Sequence, residues 1–328
     1  MKVPIPEMLA DELMVFWADI FGDFDLSKEE LLGSEHEHNS IYIYIKRYYD
    51  NIAGTCTVTV SSNNPSIGGL GQVATNSQFR RSGIATQLCS EAIEEFRIHG
   101  GEALFLGTGN PEAARMYRRL GWMKLAGANV MVNMTNGSPE EFLINHFSSD
   151  IKPVVRVGNP DFHLQMIPLI LSPNNWQVLD ANLGIFSTRY KVQNSCMSLY
   201  PRYRSLSAGN RGAWFGAIAN SGCVVGLSSV CLDKEGGYSV DGFTHESHRY
   251  VWSDLIQKAF DWGESHRSGR CYAKVSIEDE EKMSLFEEIG YRKLGTFDTF
   301  ELDGHQGGQI GATVQPNRRV NYIRMELP

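Results

Sequence analysis

The chain has no C-x-x-C pair, no apolar run long enough to span a bilayer and no excess of basic residues. Its six cysteines, Cys56, Cys89, Cys196, Cys223, Cys231 and Cys271, are scattered, several of them inside apolar stretches. Their spacing points to neither a disulfide framework nor a metal site, and buried reduced thiols are expected. Lysine and arginine number 30 against 38 aspartates and glutamates, a net charge of −8. That balance argues against a surface built to neutralise nucleic-acid phosphates or anionic lipid, and suits a cationic or neutral substrate better. The opening stretch MKVPIPEMLADELMVFWADIFG carries Glu7, Asp11 and Glu12 where a signal peptide needs an uninterrupted apolar run. A soluble, cytoplasmic protein is therefore expected, with no nucleic-acid partner and no membrane partner.

What is present fills two cores: 328 residues, 42% of them hydrophobic, predict two domains. Met8, Leu9, Leu13, Phe16, Trp17 and Ile20 recur at helical spacing over residues 6–22. SIYIYIKRYYDNIAGTCTVTVSS alternates around Asp50 and Asn51 as a hairpin does, and a third strand is predicted from Gly68 to Thr75. A helix opening at Ile84 should end at Gly100 and Gly101, and ALFLGTG reads as a short buried strand. Asn110 and Pro111 then form the N-cap and first turn of a helix that Gly121 stops. The order returns downstream. AWFGAIANSGCVVGLSSVCL reads as two strands around Asn220, Ser221 and Gly222, followed by a helix over about 250–262, a strand CYAKVSI and a helix from Glu280 to Ile289. Leu88 and Leu255 lie 167 residues apart, while Tyr117 and Phe286, like Gly121 and Gly290, lie 169 apart, the mark of an internal duplication. A boundary is expected near Asp150. After Leu302 a loop rich in Gly, Gln and Asn should lead to a final strand VNYIRMEL that can pair with either sheet.

The most specific chemistry lies in QVATNSQFRRSGIATQLCSEAIEEF, where Arg80, Arg81, Ser82, Gly83, Ile84 and Ala85 spell R-x-x-G-x-A at the mouth of a helix. A glycine there lets backbone N–H groups crowd a phosphate, the helix dipole favours negative charge, and two arginines add ionic contacts. The same residues also read as an ordinary loop-to-helix transition with two solvated arginines. Downstream, GTGNPEAARMYRRLGW holds N-x-x-A-x-x-Y-x-x-x-G-aromatic from Asn110. With these two motifs in order, about residues 5–135 resemble the acetyl-coenzyme A site of the GNAT superfamily of N-acetyltransferases.

The resemblance implies that the strand before the phosphate turn and the strand after its helix part, and that the cofactor's pantetheine arm fills the gap as an added strand would. Carried over, it assigns the exposed backbone to Val73, Ala74 and Thr75. It assigns pyrophosphate binding to Arg80 and to the amides of Arg81, Ser82, Gly83, Ile84, Ala85 and Thr86, with Asn110 and Ala113 as further cofactor contacts and Gln78 helping to close the turn. It implies direct attack of a neutral amine on the thioester, an amide of Val73 or Ala74 stabilising the developing oxyanion, and Tyr117 protonating the departing thiolate. A phenol with pKa about 10 is protonated at neutral pH. Tyr117 also reads as a core tyrosine, and Asn110 serves as cap and contact alike. GGLGQVATN offers no carboxylate as general base. Glu35, His36, Glu37 and His38 read as a solvated loop or, with Trp17, Tyr42 and Tyr44, as an acceptor-site rim; no metal site is expected.

The fold class implied is mixed α/β, with two GNAT-like acyl-CoA N-acyltransferase domains, each a largely antiparallel sheet flanked by helices. Residues 1–149 would be catalytic and 150–328 a degenerate copy. In that copy Tyr250 and Trp252 replace Gly83 and Ala85, Phe286 replaces Tyr117 and Asp279 replaces Asn110. The second half is expected to shape the acceptor cleft or the interface between halves. His245, His248 and His266 read as scattered surface histidines, and LYPRYRSLSAGNR, with Arg202, Arg204 and Arg211, as a solvated basic loop. The functional expectation is an N-acetyltransferase for a small or peptide amine; a non-catalytic acyl-coenzyme A-binding regulatory module and transfer of a longer acyl chain are the alternatives. No motif fixes the acceptor.

Overall fold

The first amphipathic stretch forms α1 (Glu7–Phe21), which buries Ala10, Leu13 and Trp17 and ends where Gly22 takes φ 73°. A Ser27/Glu30 capping box starts the short α2 (Lys28–Leu31). The alternating stretch folds as the hairpin β1 (Asn39–Tyr48) and β2 (Asn51–Ser61), then β3 (Ile67–Thr75). α3 (Ile84–Ile98) buries Ile84, Leu88, Cys89, Ala92, Ile93 and Phe96 along one face. β4 (Ala103–Gly107), α4 (Pro111–Arg119), β5 (Met123–Lys124) and β6 (Val130–Met134) follow. The sheet order is β1-β2-β3-β4-β6-β5, and only β3 and β4 run parallel. α3 and α4 cover one face, while α1 and α2 pack on the other. This computed structural model describes residues 1–22, 24–148, 152–233, 236–266, 269–301 and 319–328.

α5 (Pro139–Phe147) carries a Ser138/Glu141 capping box, and the expected boundary near Asp150 falls outside the described residues. Then come β7 (Val154–Val157), α6 (Phe162–Leu171), β8 (Val178–Asp180), β9 (Ile185–Phe186) and α7 (Leu199–Ser207). The chain closes with β10 (Gly212–Ile218), β11 (Val224–Leu232), β12 (Tyr238–Thr244), α8 (Trp252–His266), β13 (Cys271–Ser276), α9 (Glu280–Glu288), β14 (Arg292–Glu301) and β15 (Arg319–Glu326). Their sheet runs β7-β10-β11-β12-β13-β15-β14, with β12 and β13 its parallel pair. Setting β7 aside, this is the strand order of the first sheet repeated. Landmarks agree: Gly121 and Gly290 both take positive φ, and the rings of Tyr117 and Trp122 lie 5.8 Å apart where those of Phe286 and Tyr291 lie 5.0 Å apart.

Three expectations need correction. The helix expected over 250–262 begins at Trp252, after a 3-10 stretch Glu246–Val251, and runs through Gly263 to His266. A Cβ at Gly263 would collide with the Tyr238 ring, so that glycine admits an aromatic neighbour rather than ending the helix. The basic segment from Leu199 is helix α7 as far as Ser207, burying Leu199, Tyr200, Tyr203 and Leu206, and only its end, 208–211 with Arg211, is the exposed turn expected. His245 and His248 are not scattered: their rings lie 6.3 Å apart and His248 is buried, while His266 is exposed and stacked on Trp262. The loop after Leu302 lies outside the described residues; the final strand pairs with β13 and β14. All six cysteines are free, five of them buried.

α7 ties the two sheets together. Arg204 Nη1 lies 3.1 Å from Glu35 Oε1 and 3.3 Å from Glu30 Oε2, and the Tyr200 hydroxyl donates to Glu35 at 2.9 Å. The two carboxylates are largely buried, at 11% and 5% side-chain exposure. Arg204→Ala is therefore expected to cost about 2 kcal/mol in denaturant unfolding, because it strands two desolvated charges; a cost under about 0.5 kcal/mol would show the pairs to be incidental.

Beside this pair His163 stacks on Tyr200, and its Nε2 has no hydrogen-bond partner. Burial drives its pKa down to about 4. An unfolded histidine takes up a proton near pH 6.5, whereas the folded one resists until about 4, so His163 removes stability as the pH falls through that window. Asp180, pushed up to about 7 by burial and then by Asp241, acts in the opposite sense. The test is thus a difference: between pH 7 and pH 5, His163→Phe should lose on the order of 1–2 kcal/mol less stability than wild type. Equal acid sensitivity would contradict it.

Candidate active site

β3 runs on to Thr75 and β4 to Gly107, but their parallel pairing covers only Ile67↔Ala103 through Gly69↔Phe105. Beyond that the strands part. A bulge opens the gap: Gln72 takes φ 44° and shifts the register of β3 on β2. Thr55 Oγ1 donates to Gln72 O at 2.8 Å, Thr57 Oγ1 donates to Gln72 Oε1 at 2.8 Å, and Trp17 Nε1 of α1 donates to Thr55 Oγ1 at 2.9 Å. Helix α1 therefore pins the bulge that bends β3. Val73, Ala74 and Thr75 follow it, with Ala74 and Thr75 paired to β2 through Thr55 and Gly54, so their opposite edge faces the gap.

At the end of β3 the chain makes a 3-10 turn, Ser77–Phe79, capped by Asn76 Oδ1, which accepts from Gln78 N at 3.0 Å. Gln78 thus serves the turn through its backbone, and its side chain is exposed. Arg80 is extended, Arg81 takes φ 64° and Gly83 φ 84°, ψ 0°. Gly83 is the N-cap of α3, and no side chain caps that helix. The amides of Ile84, Ala85 and Thr86 open α3 as helix-start donors without intrahelical partners, and the first turn holds no acidic residue. Arg80, Arg81, Ser82 and Gly83 are all exposed, and a Cβ built on Gly83 would meet nothing within 4 Å. The glycine is required by its left-handed backbone, and the open space before it suits an anion on the amides.

Asn110 caps α4, its Oδ1 accepting from Glu112 N at 2.9 Å and Ala113 N at 3.4 Å. Seven residues on, Tyr117 points into the core between α3, α4 and the sheet, with 5% exposure. Burial, then the nearby Cys89 and Cys56 thiols, raise its pKa well above the ordinary phenol value, which keeps it a proton carrier. A cavity of about 210 Å³ at the end of β4 joins Thr108, Asn110 and Pro111 to Arg118, Lys124 and Asn129. The motifs do not single out these two cations; Arg118, directly after Tyr117, was the one the sequence signalled.

The proposed acceptor rim is not brought together. Trp17 is fully buried, and Tyr44 donates to Glu95 of α3 at 2.7 Å, on the opposite face from α1. Glu35 and His38 do not solvate a loop either: Glu35 pairs with Arg204 and Tyr200, and His38 lies 3.0 Å from Asp161. Among the described residues no group of three or more His, Cys, Asp or Glu is placed to hold a metal. The second half packs against this end of the first sheet instead. A Cβ on Gly107 would fall 2.8 Å from Asn194 O, one on Gly69 would strike Met197 Sδ, and Asn129 N donates to Gln193 O at 2.8 Å.

Residues 7–122 match the family model described as acetyltransferase (GNAT) family. Among solved structures the chain is similar to spermidine/spermine N-acetyltransferase SpeG from Vibrio cholerae, at 14% identity and TM-score 0.36 over 54% of this chain and 92% of that one. It is also similar to an acetyltransferase of the GNAT family from Streptococcus pneumoniae, at 14% identity and TM-score 0.36 over 53% and 97%. A third is ribosomal-protein-alanine N-acetyltransferase from Brucella melitensis, at 12% identity and TM-score 0.37 over 53% and 98%. No curated protein matches the chain. No described helix is long and apolar enough to cross a membrane.

Proposed function

We propose, from the premise that residues 7–122 form an acetyltransferase domain of the GNAT family, that this protein moves an acetyl group from acetyl-coenzyme A to an amine, with residues 1–149 as the catalytic domain. The observation that carries the reading is the uncapped start of α3 behind left-handed Gly83, set at the mouth of the gap between β3 and β4. The residues present fit the cofactor. The amides of Arg81 through Thr86 and the guanidinium groups of Arg80 and Arg81 hold a diphosphate, and the unpaired edge of Val73–Thr75 takes an extended arm. Asn110 keeps its amide N–H donors for the arm while its oxygen caps α4.

When bound, acetyl-coenzyme A supplies the thioester. The protein's part is to donate an amide of Val73 or Ala74 to the acyl oxygen, and to keep on Tyr117 the proton that the released thiolate needs. Direct attack by a neutral amine requires no nucleophile from the protein, and Cys56, whose thiol burial pushes well above its ordinary pKa, offers none. Release of free thiol from acetyl-coenzyme A across a panel of polyamines, amino acids and peptide N-termini is the test. Acceptor-dependent thiol release supports transfer; tight cofactor binding with no release for any amine would replace it with a ligand-sensing module.

A further inference from the structure

The second sheet has the same gap as the first. β12 and β13 pair only at Tyr238↔Cys271 and Ser239↔Tyr272, yet run on to Thr244 and Ser276. Here the gap is filled by the chain itself. From the β12 side, Asn182 Nδ2 donates to Ser239 O at 3.2 Å, Ala181 N donates to Asp241 Oδ2 at 2.7 Å, and Asn174 Nδ2 donates to Thr244 O at 3.2 Å. From the β13 side, Ser276 Oγ donates to Gln177 Oε1 at 2.6 Å. Lys282 Nζ of α9 donates to Val178 O and Leu179 O, each at 3.1 Å, and pairs with Asp241 at 2.6 Å.

The clearest sign is Asp279. It is the N-cap of α9, at the place Asn110 holds on α4, but it makes no cap bond to its own helix. Its two oxygens accept instead from Gln177 N and Val178 N. A carboxylate turned away from its own helix start, and a fully buried lysine whose charge is met by Asp241 and two carbonyls, are each costly unless the bound backbone is present.

We infer that the second half keeps a cleft for an extended polypeptide backbone, and that its permanent ligand is this chain's own residues 174–182, lying where the first half receives the cofactor arm. The placement rests on the proposed function, since it equates the two gaps. The second half therefore takes no coenzyme A, and each chain loads one. Tyr250, at the place of Gly83, is 54% exposed, and the Trp252 ring, at the place of Ala85, is buried and donates to Gly242 O.

Hydrogen–deuterium exchange on the full chain, read by peptide, tests this with and without saturating coenzyme A. Peptides over 174–182 should exchange as slowly as those over β11 and β12, and coenzyme A should leave them unchanged while protecting 80–86. In Asp279→Asn, which can cap its own helix as Asn110 does, exchange over 174–182 should rise at least tenfold with 39–75 unaltered. Fast exchange of 174–182 in wild type, their release by coenzyme A, or no change in Asp279→Asn would overturn the inference. If coenzyme A protects no peptide at all, the proposed function fails, and the wild-type and Asp279→Asn exchange rates alone decide the internal ligand.

Discussion

Glutamate in place of Gly83 is expected to weaken coenzyme A binding at least a hundredfold, measured by calorimetry, while the chain stays folded. Two effects of different size act at this residue. The backbone at φ 84° disfavours any L side chain, at a cost of about 1 kcal/mol, which a two-sheet protein tolerates. The larger effect is on the anion. Nothing lies within 4 Å of a Cβ at this point, so the side chain enters without clash and sets a carboxylate in front of the amides of α3. A negative charge at a helix start competes for the same donors and repels a diphosphate. Gly83→Ala separates the two contributions, since it carries the backbone cost without the charge and should bind within about tenfold of wild type. Undiminished affinity in Gly83→Glu would mean that the anion does not bind there.

Tyr117→Phe should lower kcat about a hundredfold with acetyl-coenzyme A affinity nearly unchanged, the size expected of a lost general acid. Removing one hydroxyl from a side chain 5% exposed leaves the packing with Trp122, 5.8 Å away, in place. Stability should therefore change little, and a fall in kcat reports proton transfer rather than unfolding. The pH profile adds a readout. With the phenol held well above its ordinary pKa, wild-type activity should not fall on the alkaline side below about pH 9, and the variant should lose rate across the whole range. Equal kcat in the two proteins would leave Tyr117 a core residue, as Phe286 is in the second sheet.

Much of this architecture was legible because local chemistry set it. Asn110 with Pro111 starts α4, and the spacing of Leu88, Tyr117 and Gly121 recurs at Leu255, Phe286 and Gly290, so the duplicated order of strands and helices could be read from pattern. What could not be read depends on contacts between distant residues. Glu35 looks like part of a polar loop until Tyr200 and Arg204 come to it from α7, 165 and 169 residues away. α7 itself was hidden because three arginines among polar residues resemble a solvated turn, whereas Tyr200 and Tyr203 bury one side of it. The bulge at Gln72 left no mark, since its stabilising partners, Thr55 and Trp17, lie on other elements. Occupation of the second gap was equally invisible: residues 174–182 carry no periodic signal, and their partners, Asp279, Lys282, Asp241 and Ser276 among them, lie about 60 to 100 residues further on.

The proposed transfer requires that the start of α3 and the gap beside it receive a diphosphate-bearing thiol. A crystal structure of the chain soaked with coenzyme A tests it most directly. One cofactor per chain is expected, its diphosphate on the amides of residues 81–86 and its sulfur within hydrogen-bond reach of the Tyr117 hydroxyl. A diphosphate bound elsewhere, or a sulfur remote from Tyr117, would contradict it.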